Sequence, residues 1–251
     1  MKNEYTIKEL LDNVDDIEKI YKEFKDYFTE DDIKYAIDKE LDLYEYLADK
    51  FDKELIKYAI KKDKEYLCKL YEYINDKFDD ELIKLAIDKG KDLVYLYEYV
   101  GYKFDKELIK YAIKKNKSNI GIVEMYFVNK FDKELIRYAI DKKLKLYIIY
   151  EYTKNKFDDE LIRYAIDNDK KYLYALYKCI KNKFDKELIR YAIDKNADLK
   201  DLYYYLEDKF DKELVRYAID KKADLKNLYY YLWNKFDDEL MKLYRKKINE
   251  K

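Results

Sequence analysis

The chain has 251 residues, 49% hydrophobic and 43% charged, and its 54 basic and 55 acidic side chains leave a net charge of −1. That balance supplies no global field to draw the molecule to nucleic acid or an anionic membrane. The absence of Pro and the presence of only three Gly exclude a predominantly β or Gly-loop architecture. With no His and only Cys68 and Cys179, the commonest general base and a zinc-binding set are both missing.

From the N-terminus, Thr6-x-x-Glu9 is a capping box that opens a helix through Leu11, and Val14 to Tyr27 reads as a second amphipathic helix. A motif then begins: Phe, an acidic cluster, Leu-Ile, a base, Tyr and Ala. Its Phe stands at Phe28, Phe51, Phe78, Phe104, Phe131, Phe157, Phe184, Phe210 and Phe236, in steps of 23, 27, 26, 27, 26, 27, 26 and 26. A fixed period of this size is the signature of a solenoid, whose units bury their apolar faces against one another.

Residues 51–77 show what one unit specifies. Asp52 is placed to cap a helix, with Phe51 before it packing on Ile56 as a hydrophobic staple and Glu54 favoured by the helix dipole. Leu55, Ile56, Ala59 and Ile60 form the stripe of this first helix, helix A, which ends at Lys61-Lys62-Asp63. Helix B follows from Tyr66 to Ile74, with Leu67, Leu70, Tyr71 and Ile74 as its stripe, and Asn75 to Lys77 turns the chain into Phe78. Helices of roughly ten residues are marginal alone, so stacking must hold them.

One slot of helix A takes only a methyl group: Ala36, Ala59, Ala86, Ala112, Ala139, Ala165, Ala192 and Ala218. A column of this kind implies closely approaching helices. Tyr244 fills the slot in the ninth unit, as expected of a terminal cap, and the first unit is also atypical, with Thr29 for the capping Asp and Asp32 for Leu. The expected fold is all-α: an α-solenoid of stacked antiparallel helix pairs, about nineteen short helices in a right-handed curved array. It is expected to be a single domain over 1–251, with N-terminal capping helices at 1–27, eight helical hairpins at 28–235 and a C-terminal capping helix at 236–251.

The stretches Leu188 to Leu199 and Leu214 to Leu225, which share Arg-Tyr-Ala-Ile-Asp-Lys, resemble the second helix and exit turn of ankyrin repeats, as does Leu82 to Leu93 with its Gly90. In that register Asn227 to Phe236 stands where ankyrin units place their first, inner helix. The likeness touches every unit from Phe28 to Ile248. The chain lacks the family's Thr-Pro-Leu-His signature and has a period of 26–27 in place of 33, so the projecting finger must be shortened or gone. The resemblance implies a protein-binding scaffold with its second-type helix lining the concave side.

No Gly-rich phosphate loop or nucleophile elbow occurs, since Gly90, Gly101 and Gly121 are isolated. Repeated Asp and Glu at helix starts read as caps, so no enzymatic activity, cofactor or metal is expected. The opening Met1 to Thr6 lacks an apolar run, no stretch approaches the roughly 20 apolar residues of a bilayer span, and two lone Cys fit a reducing compartment. The expectation is a cytoplasmic protein with no membrane partner. Only five of the bases are Arg, while Lys, Tyr, Ile and Asn abound. These residues use AT-rich codons, so part of the wealth of Tyr is read as the mark of an AT-rich genome.

Two columns bear on partners. Helix A carries one base per unit (Lys34, Lys57, Lys84, Lys110, Arg137, Arg163, Arg190, Arg216 and Lys242), each with an acid three residues earlier, which makes a self-paired ladder the expected role. A second column, Lys50, Lys77, Lys103, Lys130, Lys156, Lys183, Lys209 and Lys235, precedes each Phe and fits the negative end of helix B.

On helix B, the fifth position before Phe holds Tyr46, Tyr73, Tyr99, Tyr126, Tyr152, Cys179, Tyr205 and Tyr231, expected half-buried at a groove edge. The seventh position holds Tyr44, Tyr71, Tyr97, Tyr150, Tyr177, Tyr203 and Tyr229, expected in the core. The sixth and third positions should face water and are mostly polar or small. They turn apolar at Met125 with Val128 and at Tyr230 with Trp233, joined by Tyr204.

The leading expectation is a non-enzymatic protein-interaction scaffold that binds a protein partner, or a second copy, through the Tyr-rich face of the B helices. Its contact residues are Tyr204, Tyr230, Trp233, Tyr205, Tyr231, Met125, Val128, Tyr152 and Tyr126. The alternative is a single-stranded nucleic-acid reader using the Lys/Arg column and Tyr stacking.

Overall fold

A computed structural model describes residues 6–13, 17–63, 65–115, 120–144, 146–169 and 171–250. These residues form nineteen α-helices and no strand, which is the all-α solenoid expected, and none of the helices is long and apolar enough to cross a membrane. The chain divides into two compact units, Met1–Tyr126 and Phe127–Lys251.

In the first unit the A-type helices are α1 (Ile7–Asn13), α3 (Glu30–Asp38), α5 (Lys53–Lys62), α7 (Asp80–Lys89) and α9 (Lys106–Lys115). The B-type helices are α2 (Ile17–Phe24), α4 (Tyr44–Leu47), α6 (Leu67–Tyr73) and α8 (Leu93–Val100), and α10 (Ile120–Phe127) carries the boundary. Residue Val14, where the sequence places the start of α2, lies outside the described residues. The second unit holds A helices α11 (Lys133–Asp141), α13 (Asp159–Asn168), α15 (Lys186–Asp194), α17 (Lys212–Asp220) and α19 (Asp238–Asn249). Its B helices are α12 (Leu146–Tyr152), α14 (Leu173–Cys179), α16 (Leu199–Tyr205) and α18 (Leu225–Leu232). Within each unit A packs on A and B on B in chain order, so each unit is two layers of parallel neighbours joined by hairpins.

Each A helix starts as its sequence dictates. The Asp after Phe accepts a bond from the backbone N–H three residues on, at 2.8–3.0 Å in α5, α7, α9, α11, α13, α15, α17 and α19. In α3 the substituted pair works reciprocally: Thr29 caps Asp32 and the Asp32 carboxylate accepts from the Thr29 backbone. All eight Ala of the small-residue column are fully buried. The repeated Phe is buried as well, except at Phe236, and packs edge-on or tilted against the Tyr seven residues before it, with centroids 5.3–5.7 Å apart. Apart from the first pair, the B helices are shorter than the A helices, and each B helix is completed by a three-residue 3-10 turn that delivers the next Phe. The step of 23 arises at α4, only four residues long, whose first turn is missing.

The 26- and 27-residue steps correspond to two ways of closing the A-to-B turn. In the shorter units a left-handed residue follows helix A, directly at Gly90 (φ 67) and one residue later at Lys143 (φ 54), Asn196 (φ 51) and Lys222 (φ 52). After α15 the Asn196 and Ala197 amides reach back to Ile193 and Ala192 carbonyls, a Schellman closure. In the longer units one extra residue leaves room for a buried Asp, Asp63 or Asp169, whose Oδ1 accepts two amides at the start of helix B.

Candidate interaction face

Helix B sorts its positions by exposure. Tyr44, Tyr71, Tyr97, Tyr150, Tyr177 and Tyr203 are core residues, 2% exposed or less. The hydroxyls of Tyr44, Tyr71, Tyr150, Tyr177 and Tyr203 act between repeats, each reaching the A-to-B turn of the following unit. Tyr44 donates to Asp63, Tyr150 to Asp169 at 2.7 Å, Tyr71 to the Lys91 carbonyl at 3.4 Å and Tyr203 to the Ala223 carbonyl at 2.6 Å. The acceptor is a carboxylate where the turn is long and a backbone carbonyl where it is short. Burial raises the pKa of Tyr44, Tyr71, Tyr150, Tyr177 and Tyr203, and the neighbouring Asp63 and Asp169 add to it at Tyr44 and Tyr150.

The fifth-position column is half-buried at Tyr46, Tyr73, Tyr99, Tyr126, Cys179, Tyr205 and Tyr231, as expected, while Tyr152 is exposed. Its rings face the preceding repeat: Tyr46 stacks on Tyr21 at 5.6 Å and Tyr126 lies 6.2 Å from Tyr97.

Of the two apolar breaks, one divides. Met125 is exposed, but Val128 is 7% exposed and not a surface residue. Val128 opens a 3-10 turn, a position that is also buried at Gly101 but exposed at Trp233. The other break is intact: Tyr204, Tyr230 and Trp233 are 56%, 70% and 66% exposed. Tyr204 meets Tyr231 at 5.6 Å and Tyr205 at 4.8 Å, and Tyr230 meets Tyr231 at 4.8 Å, all edge to face. The half-buried Tyr205 and Tyr231 thus buttress an exposed aromatic ridge across α16 and α18.

Beside the ridge, α18 and α19 bound an open groove of about 1120 Å³ lined chiefly by Leu225, Tyr229, Tyr230, Trp233, Tyr244 and Ile248. Tyr244 stacks on Tyr229 at 5.2 Å and meets Phe236 edge-on at 5.5 Å. The sequence reading took Tyr244 as a cap and missed the groove. The signal was there in Ile248, one turn beyond Tyr244 on the same face.

The basic ladder is paired differently from the expectation. Lys57 does bond Glu54 at 3.0 Å, three residues back, but it also holds Glu81 of the next unit at 2.7 Å. Arg137, Arg190 and Arg216 bind Glu160, Glu213 and Glu239, again of the next unit. The same bases lie over the next unit's Tyr, as Arg163 does over Tyr191 at 4.5 Å and Arg137 over Tyr164 at 5.3 Å. That Tyr in turn donates back to an Asp, as Tyr217 does to Asp194 at 2.8 Å, and hydrogen bonds from Lys221 and Tyr217 hold the Asp194 carboxyl below its ordinary range. The Lys before Phe is also an inter-repeat contact at Lys50, Lys77, Lys103, Lys156 and Lys183. Lys77 donates to the Ala48 and Phe51 carbonyls at 2.8 and 2.9 Å, Lys103 to Asp76 and Phe78, and Lys156 to Asn129 and Phe131. Each does meet the carbonyl end of a B helix, but the helix belongs to the preceding unit.

Cys68 and Cys179 are free thiols, each half-buried, and burial raises the pKa of both. Among the described residues no three His, Cys, Asp or Glu side chains gather to hold a metal ion. No family model, curated protein or solved structure matches the chain, so the repeat architecture and the chemistry of its exposed faces carry the functional reading.

Proposed function

We propose that this protein is a non-enzymatic, ankyrin-like scaffold that holds a protein partner on the Tyr-rich face of its B helices, with Tyr204, Tyr230 and Trp233 at the centre of the contact. The observation that carries the reading is the exposure of three large aromatics in columns that are otherwise mostly polar or small. Trp and Tyr dominate interface hot spots because their large faces desolvate at low entropy cost. The rings are also braced from behind, so little ordering is required on binding.

What weighs against the single-stranded nucleic-acid alternative is prior occupation of its basic column. Bases already bound to Glu81, Glu160, Glu213 and Glu239 and laid over tyrosines would have to give up those partners to reach phosphate.

The test is affinity capture and cross-linking with wild-type protein, Trp233→Ala and Tyr204→Ala, with oligonucleotide binding measured in parallel across salt. We expect each variant to lose about tenfold or more of a specific protein partner, and no oligonucleotide binding of steep salt dependence. Unchanged recovery together with unchanged oligomer mass in both variants would overturn the assignment, and a steep salt slope would favour the nucleic-acid reading.

A further inference from the structure

The groove beside α18 lies where another B helix would pack in the register of the array. Among the described residues, α18 packs on α16 on one side, and on the other no further B helix is present. The consequence is visible at one position. Tyr71, Tyr177 and Tyr203 are 2% exposed or less, whereas the equivalent Tyr229 is 38% exposed. Tyr244, where every earlier unit has a buried Ala, leans against Tyr229 and forms the groove's other wall with Ile248.

We propose that this groove is a docking slot for one amphipathic helix of a partner protein. The helix runs in the direction of α18, presents Leu, Ile or Tyr at i, i+3, i+4 and i+7, and carries acid in its first turn. The inference rests on the scaffold reading above and names the chemistry of the partner. Two observations fix that chemistry.

The first is continuity. The slot extends the α12, α14, α16, α18 layer, whose members bury just such a stripe against one another. The second is charge. A B helix begins just after its A helix ends, as α18 begins at Leu225 after α17 ends at Asp220. The first turn of an occupant therefore lies by the C-terminal half of α19, which carries Arg245, Lys246 and Lys247. On α19 the groove-lining Tyr244 and Ile248 share one face, which Arg245 and Lys247 flank, while Lys246 lies on the opposite face. Lys247 is paired with Glu250 at 3.5 Å, whereas Arg245 is exposed and has no carboxylate partner among the described residues. Acid at a helix N-terminus satisfies both its own dipole and this edge.

A second copy of the chain fits less well. The outer face of α2 presents Glu18, Lys19, Lys22 and Glu23, all exposed, and no apolar stripe. A two-fold pairing brings each patch to its own duplicate, so the basic edge would meet the same basic edge.

The probe is a stapled, fluorescein-labelled peptide copying residues 198–209, which contains the stripe of α16 and the acids Asp198 and Asp201. Full-length protein is titrated by anisotropy, while Trp233, the only Trp in the chain, reports groove occupancy by its emission. We expect saturable binding with an emission shift, at least tenfold weaker for Ile248→Glu. Arg245→Glu should weaken the acidic peptide about fivefold and favour a peptide carrying Asp198→Lys and Asp201→Lys. Tyr204 lies on the ridge outside the groove, so Tyr204→Ala should leave the titration within about twofold. Peptide binding that survives while Tyr204→Ala abolishes nothing in partner capture overturns the ridge and upholds the slot. The slot itself is overturned by absence of saturation at about 1 mM peptide, by equal affinity for acidic and Lys-bearing peptides, or by a doubled mass that Ile248→Glu abolishes.

Discussion

At the scale of the residue, tyrosine serves three separable purposes, distinguished by its register on a helix. At the seventh position before Phe it is a core residue, except at Tyr229, and at Tyr44, Tyr71, Tyr150, Tyr177 and Tyr203 its hydroxyl fixes the next repeat's turn. On helix A it lies under the previous unit's base and donates to that unit's Asp, and on the ridge it is exposed. The core group predicts a pH response. Tyr21, Tyr44, Tyr71, Tyr150, Tyr177 and Tyr203 all have pKa values raised above the ordinary 10.0, with burial the first cause in each. The folded state therefore binds these protons more tightly than the unfolded chain does. Their contribution to stability is complete below pH 10 and falls as the pH rises above it, because the unfolded phenols then ionise and the folded ones do not. Absorbance at 295 nm followed together with helical circular dichroism should show the exposed fraction of the 33 tyrosines titrating with the helices intact, and the remainder only as the helices are lost. Ionisation of every Tyr in a fully helical protein would contradict this.

At the scale of the element, the two turn types make opposite predictions for one substitution. Lys222 holds φ 52 after α17, a left-handed conformation that Gly adopts without steric cost. Lys222→Gly is expected to stabilise the protein by about 0.5–1 kcal/mol, the relief of strain being partly offset by the entropy Gly adds to the unfolded chain. In the longer turn, Asp169 is buried and accepts the Lys171 and Tyr172 amides and the Tyr150 hydroxyl. Asp169→Gly strands the buried Tyr150 hydroxyl and two part-buried amides and should cost about 2–4 kcal/mol. Urea midpoints of the two variants should move in opposite directions; a shift of the same sign in both would show that the two turns are not distinct devices.

The sequence made most of this hierarchy legible. Asp caps, the buried Ala column, the core Tyr column and the number of helices could be read because each depends on local order along one helix. Pairing between units was less accessible. Lys77 and Arg190 have acids or a helix end nearby in sequence, which suggested local partners. The partners they take in the next or the previous unit are set by the rise between layers, which no single repeat encodes. Val128 was misplaced because the third position before Phe is not one environment: it is buried at Gly101 and Val128 and exposed at Trp233.

At the scale of the molecule, stability in each unit is a sum over neighbours, since A helices touch adjacent A helices and their own B partners and the short B helices cannot persist alone. Ala192 tests whether that description holds. It is fully buried in the middle of the second unit, in a slot where α15 meets its neighbours closely. Leu at this position adds three carbons where no space exists, so Ala192→Leu should cost about 1–3 kcal/mol by overpacking. In a globular domain with one shared core, that loss would raise amide exchange everywhere the core reaches. In a nearest-neighbour array it should be confined, with α15 exchanging fastest, α13, α16 and α17 next, and α11 keeping its protection. Hydrogen exchange by mass spectrometry, which resolves peptides of this length, separates the two outcomes. Uniform deprotection through α11 would mean that the repeats share one cooperative core, and the confined pattern would mean that a partner gripping α16 and α18 can order its own end of the array without remodelling the rest.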